Sequence, residues 1–473
     1  MAKIRLDDTI VAISTPIGEG GIGIVRLSGK DALKIVDEIF LSADGKKPSD
    51  FRTYTVHYGH IIDKGSRKTN SKGRRIVDEV ILTVMRAPKS YTKEDVVEIN
   101  CHSGIVPLKK ILELVLMKGA RFAEPGEFTK RAFLNGRIDI LQAESVADII
   151  RAKTDLSLRA AVNNLEGSFS RKIKDIRSEL LWALAHIEAS IDFSEEEDAD
   201  DVRRRDVFNR LKQAKKDIER LVATSYKGKI LRQGIKTVIC GSPNVGKSSL
   251  MNAMLKDARA IVTHLPGTTR DTIEEIVNIK GVPVVLVDTA GVTKANHPAE
   301  KEGVKRSHFS MQRADLILLV LDYGRKLNRN DLKLMHSIKD KENIIIVINK
   351  KDLKRRIDLT AVKKFFPKTR LAHVSAINFS GINKLENTIR DVVFKGSVPT
   401  TDCPTVSNDR QLAILRASLE DIEAALASYK DKMSVDCIGV CVRSSIESLG
   451  EVTGHNITEE ALGRIFSEFC VGK

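Results

Sequence analysis

The sequence predicts a multidomain protein of α/β plus α class, and three observations predict it. Its 473 residues, at roughly 150 per domain, call for about three cores. Between residues 235 and 395, apolar runs alternate with helical patterns, as in a parallel sheet with crossover helices. Amphipathic stripes of helical spacing flank that block on both sides. The 42% hydrophobic and 30% charged residues are those of a globular chain and exclude a disordered or collagenous one.

The elements follow in order. Strand-like stretches Ile10 to Ile13, Ile22 to Leu27, Val80 to Met85 and Val96 to Ile99 are separated by helix-like ones near 31–40 and 105–118, an α/β domain. Val162, Leu165, Phe169, Ile173, Ile176, Leu180, Leu184, Ile187 and Ile191 recur at gaps of three and four, which predicts one long helix with Gly167 weakening its first turns. The acidic run Glu195 to Asp201 ends that stripe, and a charged helix covers 202–222. Gly228 and Gly234 then predict a linker over 225–233. Apolar runs at Thr237 to Cys240, Val284 to Val287, Leu316 to Leu321, Ile344 to Ile348 and Leu371 to Val374 supply the strands of the inserted α/β domain. After Pro399 and Pro404, Leu412, Leu415, Leu419, Ile422, Leu426 and Tyr429 form a second stripe, expected to fold back on the 162–191 stripe and make the helical domain discontinuous.

Charge and cysteines bound the partners and the setting. The net charge is +15, of which residues 231–400 carry +14, so a polyanion such as RNA is an expected partner of that block. Cys101, Cys240, Cys403, Cys437, Cys441 and Cys470 include no CxxC pair, which argues against a zinc site or disulfide framework. Every apolar run falls well short of the roughly 20 residues that span a bilayer. With no basic-then-apolar leader, the expectation is a cytoplasmic protein without membrane contact.

The chemistry concentrates in the inserted domain. Gly241-Ser-Pro-Asn-Val-Gly246-Lys247-Ser248 fits the phosphate-binding G-x-x-x-x-G-K-[ST] loop, with a strand before it and a helix after it. Backbone amides of Asn244, Val245, Gly246, Lys247, Ser248 and Ser249 can surround the phosphates, Lys247 neutralises the β and γ oxygens, and Ser248 is a Mg²⁺ ligand. Asp288-Thr289-Ala290-Gly291 ends a strand where a carboxylate can hold the metal's shell. Asn349-Lys350-Lys351-Asp352 ends the next strand but one, where Asp352 can accept guanine N1–H and N2–H and reject adenine. Ser375-Ala376 matches a loop whose backbone meets guanine O6, and Gly267-Thr268-Thr269-Arg270-Asp271 offers Thr269 to Mg²⁺. GTP is therefore the expected nucleotide.

Two features of the loops are specific. Val292 stands where Ras-like enzymes carry a water-orienting Gln, and no Arg is an obvious finger in cis. Asn244 has two readings: a turn-former after Pro243, or a ligand for a monovalent cation together with Thr263, Leu265 and Thr268, replacing an Arg finger's charge. Gly18-Glu-Gly20-Gly-Ile-Gly23 formally fits a dinucleotide fingerprint, but the following Ile24 to Leu27 reads as strand, so no such site is expected. His102 receives no role.

At this level the chain resembles the MnmE (TrmE) family of tRNA-modification GTPases. The resemblance rests on DTIVAISTPIGEGGIGIVRLSG near the start, PGEFTKRAFLNGRIDILQAE over Pro125 to Glu144, IDF at Ile191, GSPNVGKSS, GTTRD, DTAG, NKKD and the terminal FCVGK. It implies an N-terminal α/β folate-binding and dimerisation domain over 1–137, a helical domain in two parts over 138–233 and 397–473, and a Ras-like G domain over 234–396. It also implies GTP hydrolysis stimulated by K⁺ as G domains meet, with Asn244, Thr263, Leu265 and Thr268 on the ion and Glu300 as the catalytic residue orienting the attacking water. Read from the residues alone, Glu300 is an exposed helix-start residue.

The family further implies a homodimer that assembles with an FAD-dependent MnmG-type partner into a heterotetramer. Together they add a carboxymethylaminomethyl or aminomethyl group to C5 of the wobble uridine of certain tRNAs, using a tetrahydrofolate one-carbon unit. Arg26, Glu98, Arg137 and Lys473 fall at the matched folate-binding positions. Arg137 stands where the family usually has Lys, which keeps the charge and changes its geometry. Cys470 is expected to be a buried structural thiol, with a chemical role as the alternative. The competing reading, a ribosome-associated GTPase without covalent RNA chemistry, predicts no folate binding.

Overall fold

The computed structural model describes residues 7–64, 75–192, 197–257, 274–288, 311–341, 343–394, 396, 404–431 and 433–473. They divide into two compact units, one of residues 1–147 with 450–473 and one of residues 148–449.

The first unit is built on a seven-stranded sheet. Its strands are β1 (Ile10–Ile13), β2 (Ile22–Ser28), β3 (Phe40–Ser42), β4 (Thr55–Asp63), β5 (Arg75–Met85), β6 (Val96–His102) and β7 (Arg121–Phe122), in the order β3-β4-β5-β6-β2-β1-β7. All neighbours are antiparallel except β1 and β7. The helices Ala32–Ile39 and Ile105–Met117 cover one face, closing a core that includes Val11, Leu27, Val36, Leu82, Ile99, Leu108 and Ile111. β4 buries only its second half, at Gly59, Ile61 and Ile62, while Val56 and Tyr58 near its start are exposed. Gly18 to Gly23 leads into β2 rather than a helix, which removes the context a dinucleotide site needs. The C-terminal helix Glu459–Ser467 belongs to this unit, with Leu462, Phe466 and Phe469 packed around Ile140, Ala143 and Ala147.

The second unit contains the predicted parallel sheet. Strands β8 (Ile235–Cys240), β9 (Glu274–Ile279), β10 (Val282–Asp288), β11 (Leu316–Asp322), β12 (Ile344–Asn349) and β13 (Arg370–His373) lie in the order β13-β12-β11-β8-β10-β9. Every residue of β11 and β12 is buried, the two-sided coverage that makes parallel strands read as unbroken apolar runs. At roughly 2 kcal/mol for each buried Leu, Ile or Val, these two strands anchor the unit. β9 runs antiparallel to β10 and was not legible as a strand, since EEIVNI is short and begins with charge.

The helical portion corrects three expectations. The predicted single helix is two, Asp155–Leu165 and Ser168–Asp192, because Gly167 adopts φ +85° and turns the chain between them. The predicted linker over 225–233 is instead the end of the helix Glu197–Gln233. Gly228 lies within that helix at a point where the 404–407 segment passes so close that a Cβ would lie 2.0 Å from the Val406 carbonyl oxygen, which only glycine accommodates. The helix Asp409–Lys430 packs chiefly on Glu197–Gln233, with Phe208 stacked on Tyr429 at 4.6 Å and Lys215 paired to Glu423 at 2.8 Å. The 168–192 helix also packs chiefly on Glu197–Gln233, and it touches Val435–Thr453 through Gly439 against Ile187 and Arg443 against Glu188. Spacing fixes which face of a helix is apolar but not which of several apolar faces it meets.

Candidate functional site

The phosphate-loop motif sits between β8 and the helix Lys247–Asp257, so its backbone amides open a helix N-terminus. The Lys247 ammonium lies across the loop and donates to the Gly241 and Ser242 carbonyls, each at 3.1 Å. Ser248 and Ser249 are exposed at the helix start, and Val245 is fully buried. Burial beneath the loop pushes the Cys240 thiol up to about 12, so it stays neutral and inert.

Asn349 holds the loops together. Its side chain is 1% exposed; Nδ2 donates to the Val245 carbonyl at 3.0 Å, and Oδ1 accepts from the Ala376 amide at 3.1 Å and the Lys350 amide at 2.8 Å. One buried amide thus ties the phosphate loop, the NKKD turn and the Ser375-Ala376 turn. Lys350, at φ +63°, donates from Nζ to the Asn244 carbonyl and to Asp322 Oδ2, both at 2.7 Å. Asp352 is exposed and accepts from Ser375 Oγ at 2.5 Å through Oδ1. Asn244 has φ +62° and an exposed side chain, so its backbone forms a turn while its amide remains accessible.

Two positioning residues escaped the sequence reading. Asp322 ends β11 and neutralises Lys350; its signal was the lone acid closing LILLVLD. Asp331, 2% exposed, accepts from Ser242 Oγ at 2.5 Å, pairs with Arg325 at 3.0 Å and completes the capping box of the helix Arg329–Ile338 with Asn328. No local motif announces that contact, because 89 residues separate its ends. Asp288 ends β10 as expected. Thr263, Leu265, Thr268, Thr269, Thr289, Ala290, Gly291 and Glu300 lie outside the described residues.

A second constellation forms in the first unit. Arg26 on β2 and Glu98 on β6 face each other at 2.8 Å across paired strands. The chain's last residues lie beside them: the Gly472 carbonyl accepts from Arg26 at 3.3 Å and from Ser14 Oγ at 3.2 Å, and the Lys473 carbonyl accepts from the Phe128 amide at 3.2 Å. Three of the four residues predicted for this site are therefore together. Arg137 stacks on the Tyr91 ring at 4.7 Å, and Tyr91 bonds Thr129 at 3.0 Å. Cys470 is exposed, which corrects the expectation of a buried thiol; its backbone carbonyl, bonded to Gly126, fastens the tail while the side chain stays free.

The helix Glu127–Leu134 is fixed to the sheet by Arg131, 1% exposed, which pairs with Asp8 at 2.5 Å, Glu94 at 3.1 Å and Glu127 at 3.1 Å. Burial acts to raise the Glu127 and Asp8 pKa values, but the Arg121 and Arg131 guanidinium groups outweigh it and hold both carboxyls below their usual range. His102, given no role, pairs with Asp78 at 2.7 Å, which raises its pKa.

A phosphate loop at a strand end, clamped by the Asn of an Asn-Lys-x-Asp turn on a mostly parallel sheet, defines a P-loop GTPase. Residues 9–137 match the family described as "GTP-binding protein TrmE N-terminus", and residues 140–470 match "MnmE helical domain". The chain is 48% identical over 466 residues to the tRNA modification GTPase MnmE of Geobacillus kaustophilus, covering 98% of this chain and 99% of that one. It is 46% identical to the protein of that name from Bacillus subtilis, over 98% of this chain and 100% of that one. The chain belongs to the MnmE/TrmE family. None of its described helices is long and apolar enough to cross a membrane.

Proposed function

We propose that this GTPase acts in tRNA modification as one half of a pair with an FAD-dependent MnmG-type protein, adding a carboxymethylaminomethyl or aminomethyl group to C5 of the wobble uridine. The observation that carries the reading is the coexistence, in one chain, of a guanine-type nucleotide site and a tail-closed site of paired charges around Arg26, Glu98 and Lys473. A ribosome-associated GTPase has no use for the second. The division into residues 1–137, 138–233, 234–396 and 397–473, the homodimer and the heterotetramer are parts of the same proposal, as is a cytoplasmic setting.

The residues suit the groups this reading requires. The exposed Ser248 hydroxyl at a helix N-terminus is a fitting Mg²⁺ ligand, with Thr269 as its partner. Asn244, accessible beside the phosphate loop, would hold K⁺ with Thr263, Leu265 and Thr268. When bound, the two cations supply positive charge to the phosphates. Lys247 binds the phosphates, Asp352 selects guanine, and Glu300 orients the attacking water. In the N-terminal unit, Glu98 offers an acceptor to a pterin's N–H groups, and Arg26, Arg137 and Lys473 offer cations to a reduced folate's carboxylates. Arg26 is mostly buried and already oriented by Glu98, which suits a polar ligand.

GTP turnover in KCl against NaCl at matched ionic strength, for the parent and Glu300→Ala, tests the reading. Strong stimulation by K⁺ that is lost in the variant is expected. Equal, slow rates in both salts with the variant unchanged would overturn it.

A further inference from the structure

The excess charge of the G-type sheet is concentrated at one edge. Between residues 350 and 370 there are nine Lys or Arg against two Asp, in the turn after β12, the helix Leu359–Phe365 and the start of β13, the edge strand. The helix ends in Lys363 and Lys364.

This edge holds a cavity of 580 Å³ whose lining includes Lys339, Lys341, Lys368 and Arg370, with Phe365 and Asp391. Asp391 is engaged by Arg390 at 3.0 Å. Lys341 donates to the Gln312 carbonyl at 2.9 Å, which fixes its ammonium and leaves two further donors. Lys339, Lys368 and Arg370 are exposed. β12 and β13 both begin here, whereas the phosphate loop follows the end of β8, with which they run parallel through β11. The cavity therefore lies at the opposite end of the sheet from the nucleotide.

We propose that this basic cleft, with Lys363 and Lys364 at the end of the adjoining Leu359–Phe365 helix, is a seat for the phosphodiester backbone of RNA. The chemistry favours RNA over an acidic protein segment. Long flexible ammonium groups around an open cleft give sequence-independent phosphate contacts. An acidic protein segment would call for a more apolar floor at the centre of its interface. The inference rests on the tRNA-modification reading and gives the G domain a direct hold on the substrate, at a site GTP does not obstruct.

The test is binding of the full chain to tRNA across a salt series, for the parent, for Lys339→Gln/Lys368→Gln/Arg370→Gln, and for a control, Lys109→Gln/Lys174→Gln/Lys216→Gln, that removes the same charge from exposed positions elsewhere. The cleft variant should bind about tenfold more weakly near 0.15 M salt, with a salt dependence shallower by about two to three phosphate contacts, and the control should stay close to the parent. GTP turnover should be unchanged in both. Equal binding by the cleft variant and the control would overturn the site. So would loss of binding to an acidic protein partner with tRNA binding intact. A parent that does not bind tRNA would instead remove the reading on which the proposal rests.

Discussion

The two sites are closed in different ways. The nucleotide site is assembled at one end of a parallel sheet, where each strand end delivers its own short turn and one buried side chain, Asn349, fastens three of them. The N-terminal site has no such local origin. Its members come from β2, β6 and a tail more than 440 residues away, and its supporting helix is held by a buried arginine among three carboxylates. The first arrangement is robust to remote change but depends on single hydrogen-bonding atoms. The second tolerates local change but depends on charge balance and on where the tail lies.

The largest effect should come from an atom-level change at the nucleotide site. In Asp352→Asn an amide donor can face guanine's N–H donors, an opposition that costs roughly 10³ to 10⁴ in affinity at a site built to accept. Xanthine carries a carbonyl oxygen in place of the 2-amino group, so the same variant should prefer XTP. Competition between GTP and XTP for binding measures it, and retained GTP preference would show that the base is read elsewhere. Thermal unfolding should barely change, because Asp352 is exposed.

The converse perturbation belongs to the first unit. Arg131→Met leaves Asp8, Glu94 and Glu127 facing one another with one cation fewer, a loss of about 3–5 kcal/mol for a broken buried ion pair. The pH dependence has a fixed sign. Asp8 and Glu127 have folded pKa values below their unfolded ones, so their contribution is complete above roughly pH 5 and is lost as pH falls through the folded values. Acid titration followed by circular dichroism should show the parent gaining stability as pH rises through that window, with a flatter profile in the variant. A parent profile flat from pH 2 to 6 would argue against the network.

The same contrast decides what could be read in advance. Gly241 to Ser248 and Asn349 to Asp352 carry their chemistry within a few residues, because a turn at a strand end needs only its own backbone. The buried runs of β11 and β12 announced a two-sided parallel sheet for the same reason. Arg26, Glu98 and Lys473 are ordinary charges in sequence and were named through family resemblance alone; what unites them is strand pairing and a tail contact, neither visible as spacing. Gly228 misled because glycine has two meanings: it breaks helices, and it also admits a crossing backbone such as that of Val406. The partner of the 409–430 stripe was unreadable, since periodicity marks a buried face and leaves its neighbour unspecified.

The smallest effect should sharpen the comparison most. Removing residues 471–473 takes away the carbonyls that accept from Arg26, Ser14 and Phe128, while the helix Glu459–Ser467 and its packing around Ile140 remain. Arg26 keeps its bond to Glu98, so the loss at the site is one or two hydrogen bonds and one cation, worth about 1–2 kcal/mol in ligand affinity. A reduced folate, titrated calorimetrically, should therefore bind about tenfold more weakly, with GTP turnover unchanged because every residue assigned to the nucleotide site lies within 244–376. Unchanged folate affinity would mean that the tail is a strut for the Glu127–Leu134 helix. A parallel fall in basal GTP turnover would mean that the tail-closed site and the nucleotide site are energetically linked, and the distinction between a locally closed and a remotely closed site would then fail.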